Sequence, residues 1–235
     1  MPNDYFKFKR FTIMQSDCAM KVGTDGVLLG AYTQIDSDEQ ILDIGTGTGL
    51  IALMLAQKST SSTIDAIEID EKAANQARNN IMASPWKNIN IICVDFIQYA
   101  ENCDKQYSLI ISNPPYFKQS LKAPEHERSI ARHNDILPFD KLCSSVAKIL
   151  SDNGRFCLIL PTIEAEIFIK EAEKCSLFVS KRTKIIPKPG AKVIRLILEL
   201  TRNKQDLTEH QLCIETDTRH EYTEEFKKLT DSYYL

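Results

Sequence analysis

The sequence predicts an α/β fold, a doubly wound and mostly parallel seven-stranded sheet with an antiparallel last strand. Three observations predict it. Short apolar runs alternate with segments of helical periodicity through the middle of the chain, the pattern of a parallel sheet covered on both faces. A glycine-rich turn joins the first apolar run to the first of those helical segments. The last two runs are separated by the short PKPG turn, Pro187–Gly190, which permits only an antiparallel pair.

Taken in order, Gln40–Ile44 (QILDI) is the first strand, and a helix follows from Leu50 to Gln57. Thr63–Ile69 (TIDAIEI) is the second strand. Asp70 is placed to cap a helix running to Met82, with Ala73, Ala74, Ala77 and Ile81 on one face. Asn90–Val94 and Ser108–Ser112 are the third and fourth strands. A helix over Pro138–Leu150 precedes a fifth strand, Arg155–Leu160, and a helix over Ile163–Cys175 leads to the final strands, Phe178–Ile186 and Lys192–Leu200. The 235 residues read as one domain with an N-terminal extension, 1–39, and a polar tail, 201–235, that carries a short helix after Thr223.

Composition narrows the classes. A net charge of -3 does not advertise nucleic-acid binding by the whole molecule, so any phosphate partner needs a local basic patch. The seven cysteines are scattered and form no C-x-x-C, which argues for reduced thiols and against a metal site or a disulfide framework. MPNDYFKFKRF lacks the apolar run of a signal peptide. No stretch approaches the ~18 apolar residues of a membrane helix. A cytoplasmic protein without membrane or metal, and monomeric, is the expectation.

Residues 43–49 read Asp-Ile-Gly-Thr-Gly-Thr-Gly, between a strand and a helix. Glycines there let the backbone turn tightly and approach a ligand beside a positive helix N-terminus. Gly47, Gly49 and Ala52 also satisfy the dinucleotide pattern, and Glu68 stands where either kind of cofactor wants a carboxylate for its ribose. Capping of strand or helix ends is the bland reading of Asp43, Asp95 and Asp70.

Asn113-Pro114-Pro115-Tyr116 ends the fourth strand. Two prolines fix φ and remove two backbone donors, so the turn presents carbonyls. The asparagine side-chain oxygen and the Pro114 carbonyl can both accept hydrogen bonds from one amino group, and Tyr116 can stack on the flat group that bears it. This suits methyl transfer to a weakly nucleophilic planar amine, by positioning and polarisation.

The D-x-G-x-G-x-G turn resembles the first motif of class I methyltransferases, which use S-adenosylmethionine and have a Rossmann-like fold. With NPPY, the chain resembles enzymes that methylate adenine, guanine or glutamine amines. Phe8–Phe11 (FKRF), Met20–Tyr32 (MKVGTDGVLLGAY), Ala131–Asp135 (ARHND) and the closing EYTEEFKKLTDSYYL are similar to the bacterial valine-tRNA adenine-N6 methyltransferases over nearly the whole chain. The resemblance implies that Asn113, Pro114, Pro115 and Tyr116 form the catalytic turn. It implies that Asp43, which opens the motif, belongs to the cofactor site, that Gly45, Gly47 and Gly49 line the methionine part of the cofactor, that Glu68 holds its ribose, and that Asp95 and Phe96 flank its adenine. Thr24 and Asp25 would lie near the same pocket, and Arg132 and His133 near the substrate. The implied partner is tRNA, at its anticodon loop.

Lys181, Arg182, Lys184, Lys188, Lys192 and Arg195 form a run without acids and are the candidate RNA contacts. Smaller groups are Lys7, Lys9 and Arg10, and Lys118, Lys122 and Arg128. Edge-strand charge that blocks aggregation is the competing reading. Rival functions are a protein glutamine N5-methyltransferase, a DNA adenine methyltransferase, a nicotinamide oxidoreductase and a non-catalytic RNA-binding module. The first normally carries an N-terminal helical domain, and only 42 residues precede Asp43. The second usually has an acid before P-P-Y, and the third leaves NPPY unexplained.

Overall fold

A computed structural model describes residues 3–18, 20–36, 39–115 and 137–234. Its elements are β1 (Tyr5–Lys7), β2 (Thr12–Met14), α1 (Thr24–Tyr32), β3 (Gln40–Ile44), α2 (Leu50–Lys58), β4 (Thr63–Glu68), α3 (Glu71–Met82), β5 (Ile89–Cys93), α4 (Phe96–Glu101), β6 (Tyr107–Ser112), α5 (Phe139–Ile149), β7 (Leu150–Pro161), α6 (Thr162–Lys174), β8 (Phe178–Ile186), β9 (Arg195–Thr201), β10 (Thr208–Cys213) and α7 (Glu224–Thr230).

Among the described residues the main sheet has eight strands in the order β10-β8-β9-β7-β6-β3-β4-β5. Every pair is parallel except those made by β9, which runs antiparallel between β7 and β8. The chain winds outward from β3 through β4 to β5, then returns to β6 on the other side of β3. The carboxyl ends of β3 and β6 therefore flank the point where winding reverses, which is where open α/β sheets bind ligands.

Both sheet faces are apolar because successive strand residues point to opposite sides. Ile41, Leu109, Ile111, Ile159 and Ile197 face a layer containing α1 and α2. Leu42, Ile110, Leu158 and Leu198 face α5 and α6. The helices follow the expected caps: Asp70 accepts from Ala73 N at 2.8 Å to start α3, and Thr223 accepts from Phe226 N at 3.2 Å to start α7.

Two expectations change. The sheet gains an eighth strand, β10, inside the tail read as polar; it is an edge strand whose side chains are exposed apart from Leu212 and Cys213, so alternation is scarcely visible in its sequence. The link between the last two long strands spans residues 187–194 rather than PKPG alone, and β9 starts at Arg195 rather than Lys192. The N-terminal extension is structured: β1 and β2 pair antiparallel, and α1 lies against α2.

That extension closes onto the C-terminal segment. Lys9 N donates to Tyr233 O at 2.8 Å, and Tyr233 Oη donates to Met54 O at 3.0 Å. The Phe8 ring stacks on Phe11 at 4.6 Å and on Tyr234 at 6.1 Å. The MKVGTDGVLLGAY segment also has a packing logic. A methyl group at Gly30 would lie 2.8 Å from Met54 Sδ and 3.2 Å from Met54 Cβ, so the absence of a side chain is what lets α1 approach α2.

Candidate active site

The glycine turn leaves β3 with Gly45, Gly47 and Gly49 at φ of +70°, +56° and +81°. These left-handed values favour glycine, and a Cβ on Gly45 or Gly47 would meet nothing within 4 Å. The turn is therefore both conformationally demanding and open on its outer side, the shape a ligand-binding cradle requires. Glu68, at the end of β4, holds it in place. Its Oε2 accepts from Gly47 N at 2.8 Å, and its Oε1 accepts from Ile69 N and Asp70 N at 2.9 and 3.0 Å. A carboxylate offers about four acceptor positions, so Glu68 keeps capacity for a ligand hydroxyl.

Asp43 lies beneath the turn with no exposure. Thr46 Oγ1 donates to its Oδ2 at 2.6 Å, while Oδ1 makes no close hydrogen bond among the described residues. Burial pushes its carboxyl up to about 7, against hydrogen bonds from Thr46 and from the Ala52 backbone, which pull the other way. Asp95 Oδ1 accepts from Gln98 N at 2.9 Å and caps α4. Phe96 is buried among Leu42, Ile44 and Ile67 rather than standing on the rim. The exposed apolar group near that edge is Ile69, directly after Glu68.

Asn113 follows β6 on the same edge of the sheet. Its Oδ1 is buried and has no hydrogen-bond partner among the described residues. Pro114 is buried and Pro115 exposed. An orphaned buried acceptor costs ~1–3 kcal/mol; a ligand donor would recover that. Asn113 Oδ1, without a partner among the described residues, and the buried carboxylate of Asp43 thus lie at the ends of the two strands that flank the winding reversal, with an open glycine cradle beside them. The residues present fit an amine-bearing cofactor and an amine-bearing substrate. Tyr116, Lys118, Lys122, Arg128, Arg132 and His133 lie outside the described residues.

The basic run divides. Lys181 Nζ sits 4.8 Å from the Tyr32 ring centroid. Arg182 and Lys184 share Glu209 of β10 at 3.8 and 3.1 Å. Arg195 Nε donates to Asp25 Oδ2 at 2.8 Å. Lys188 and Lys192 are exposed in the 187–194 link, which leaves the carboxyl end of β8, on the edge that carries Asn113. Thr24 is exposed at the start of α1, and Asp25 is half-buried against Arg195. Lys9 pairs with Asp231, and Arg10 lies over the Trp86 ring.

Some supporting residues escaped the sequence reading. Asn80 on α3 donates to Thr48 O at 2.9 Å and to Met14 O at 2.8 Å, and accepts from Met14 N at 2.9 Å. It ties the glycine turn to β2. A signal existed: Asn80 continues the buried face of Ala73 and Ala77 at helical spacing, and a polar residue on such a face needs partners. Cys18, buried, lies within electrostatic reach of Glu68 and Asp70, and burial foremost pushes its thiol up to about 11. This brings the N-terminal segment to the edge that carries the glycine turn, and nothing local in the sequence reports it.

Residues 16–138 match the Methyltransferase small domain family. A Bacteroides fragilis (strain YCH46) protein named tRNA1(Val) (adenine(37)-N6)-methyltransferase is 48% identical over 100% of this chain and 99% of its own length. Proteins of the same name from Trichodesmium erythraeum and Histophilus somni are 42% and 44% identical, covering 100% and 98% of this chain and 99% and 97% of theirs. Among solved structures, a predicted O-methyltransferase from Agrobacterium tumefaciens superposes with a TM-score of 0.70 at 20% identity, over 89% of this chain and 96% of that one. A ribosomal protein L11 methylase from Lactobacillus delbrueckii subsp. bulgaricus gives 0.55 at 13% identity, over 76% and 77%. These two share the fold. No helix among the described residues is long and apolar enough to cross a membrane.

Proposed function

Because the chain belongs to the family of the bacterial tRNA1(Val) (adenine(37)-N6)-methyltransferases and to the broader Methyltransferase small domain family, we propose that it methylates the exocyclic N6 amine of an adenine in the anticodon loop of valine tRNA, in the cytoplasm and as a monomer. The methyl donor in this reading is S-adenosylmethionine, which when bound supplies an electrophilic methyl group on a sulfonium. One observation carries the reading: Asn113 Oδ1, a buried acceptor at the end of β6 without a donor among the described residues, on the edge that also carries the glycine turn.

The chemistry asked of this chain is modest. The lone pair of an adenine amine is spread into the ring. Accepting its two N–H groups on Asn113 Oδ1 and the Pro114 carbonyl localises that pair and aims it. Bound S-adenosylmethionine would supply the methyl carbon and keep the C–S bonding electrons on its sulfur, while Asn113 and Pro114 would hold the nitrogen that takes the methyl and its surplus proton would pass to solvent. No strongly basic side chain is needed, since positioning and fixed dipoles do the catalysis. Gly45, Gly47 and Gly49 would cradle the methionine part of the cofactor, Asp43 would face its amine, Glu68 would take the ribose, and Asp95 would support the adenine beside the exposed Ile69, with Phe96 packed in the core beneath. Tyr116 stacks on the target base. Lys188 and Lys192, exposed on the same edge, meet the RNA backbone, and the anticodon loop lets the base be splayed out at low cost.

The test is methyl transfer from labelled S-adenosylmethionine to unmodified tRNA, a release-factor protein and unmethylated DNA in parallel. Label is expected in tRNA as N6-methyladenosine. Asn113→Ala is expected to reduce turnover by roughly 10²–10³-fold while cofactor binding persists. Turnover retained by that variant overturns the role of Asn113, and label in the release factor moves the target amine to glutamine.

A further inference from the structure

We propose that Arg195 is a positioning residue for Asn113, acting through Asp25 and the first turn of α1, and not an RNA contact. The proposal rests on the methyl-transfer reading above. It starts from what holds the Asn113 amide. Its oxygen makes no hydrogen bond among the described residues. A methyl on the buried Gly26 would lie 3.8 Å from Asn113 Nδ2 and 3.1 Å from Leu50 Cδ2. The first turn of α1 thus stands beside the amide with room for about one methyl group between them, and a shift of that turn changes the space in which Asn113 sits.

The two ends of α1 are held differently. Its last turn is fixed by the close approach of Gly30 to Met54 and by Lys58 Nζ, which donates to Ala31 O and Thr33 O at 2.6 and 2.5 Å. Its first turn has no side-chain cap at Gly23. There, Asp25 Oδ2 receives Arg195 Nε at 2.8 Å, with the two side chains only 20% and 25% exposed, so salt screens the pair less than a surface pair. Arg195 is itself registered on the sheet: it opens β9, lies opposite Pro161 of β7 and Ile185 of β8, and its Nη1 donates to Ile194 O at 2.9 Å. The ion pair therefore sets the first turn of α1 relative to the sheet that carries Asn113. Arg195 also ends the 187–194 link with its exposed lysines, so the RNA-facing link and the catalytic asparagine share one anchor.

The experiment is steady-state methylation of valine tRNA by Arg195→Gln, Asp25→Asn, the double variant and Arg195→Lys, with tRNA and cofactor affinities measured on each. Misplacing a reacting group by about an ångström costs on the order of 10²-fold, so each single variant is expected to lose at least ~10-fold in kcat with KM for tRNA nearly unchanged. The double variant should be no worse than the poorer single one, because the two act on one path. Arg195→Lys keeps the charge and should recover part of kcat, which separates positioning from a general loss of fold read by thermal unfolding. A raised KM for tRNA, a shallower salt dependence and an unchanged kcat in Arg195→Gln, with Asp25→Asn unaffected, would make Arg195 a phosphate contact and overturn the proposal. Additive losses in the double variant would overturn it as well. A wild-type chain that leaves tRNA unmethylated defeats the underlying reading instead, before any variant is compared.

Discussion

Asp43→Asn isolates one buried charge at the foot of the glycine turn. In the folded chain the Asp43 carboxyl is raised to about 7, chiefly by burial; in the unfolded chain it titrates near ~3.9. An acid whose folded pKa is raised binds its proton more tightly in the folded state. Stability is then full below ~pH 4, falls as pH rises towards about 7, and is flat above. Three pH units at ~1.36 kcal/mol each give about 4 kcal/mol lost by neutral pH, and about 3 kcal/mol of that falls between pH 5 and pH 8. Asparagine keeps a polar partner for Thr46 and cannot ionise. Urea unfolding followed by circular dichroism at pH 5 and pH 8 measures the difference, and subtracting the variant cancels the other titrating groups. Asp43→Asn is expected to gain about 3 kcal/mol on the wild type across that interval. Parallel pH profiles for the two proteins would refute the argument, and would mean that Asp43 titrates in the folded chain much as it does in the unfolded one.

Other perturbations test the scaffold around the site. Gly30→Ala should destabilise by ~1–3 kcal/mol through overpacking against Met54, despite better helix propensity, as read by thermal unfolding. Asn80→Ala should cost roughly 2–4 kcal/mol, because it strips partners from Thr48 O and both polar groups of Met14; cofactor affinity, measured by calorimetry, should fall with it. Arg155 donates to the buried Glu39 at 2.9 Å, so Arg155→Met should cost ~3–5 kcal/mol and the double change with Glu39→Gln distinctly less. Lys188→Ala with Lys192→Ala should weaken tRNA binding and lower its salt slope by about one per lysine; an unchanged slope would place the phosphate contacts elsewhere.

The sheet was legible because its strands are buried on both faces and read as continuous apolar runs; β3, β8 and the helix capped by Asp70 begin where the sequence puts them. β10 was not legible, since an edge strand with one fully buried side chain carries no such run. The glycine turn and Asn113 were legible because each needs a residue type that little else explains. The supports of the site were harder to see. Asn80, Thr46 and the Asp25–Arg195 pair act across 66, 3 and 170 residues of sequence separation, and pattern reading has no access to the longest of these. The basic run shows the converse: adjacent in sequence, its members point to Tyr32, Glu209, Asp25 or solvent, because alternate residues of a strand face opposite sides.

The closure of β1 and β2 onto residues 223–234 also bears on biosynthesis. The aromatic side chains of Phe6 and Phe8, which pack against Tyr234, leave the ribosome more than two hundred residues ahead of it. Throughout translation of the sheet they stay uncovered, at a rate of ~5–20 residues per second. The nascent hairpin is therefore a surface on which holding factors would act, and the final layer of the protein sets only when the tail arrives.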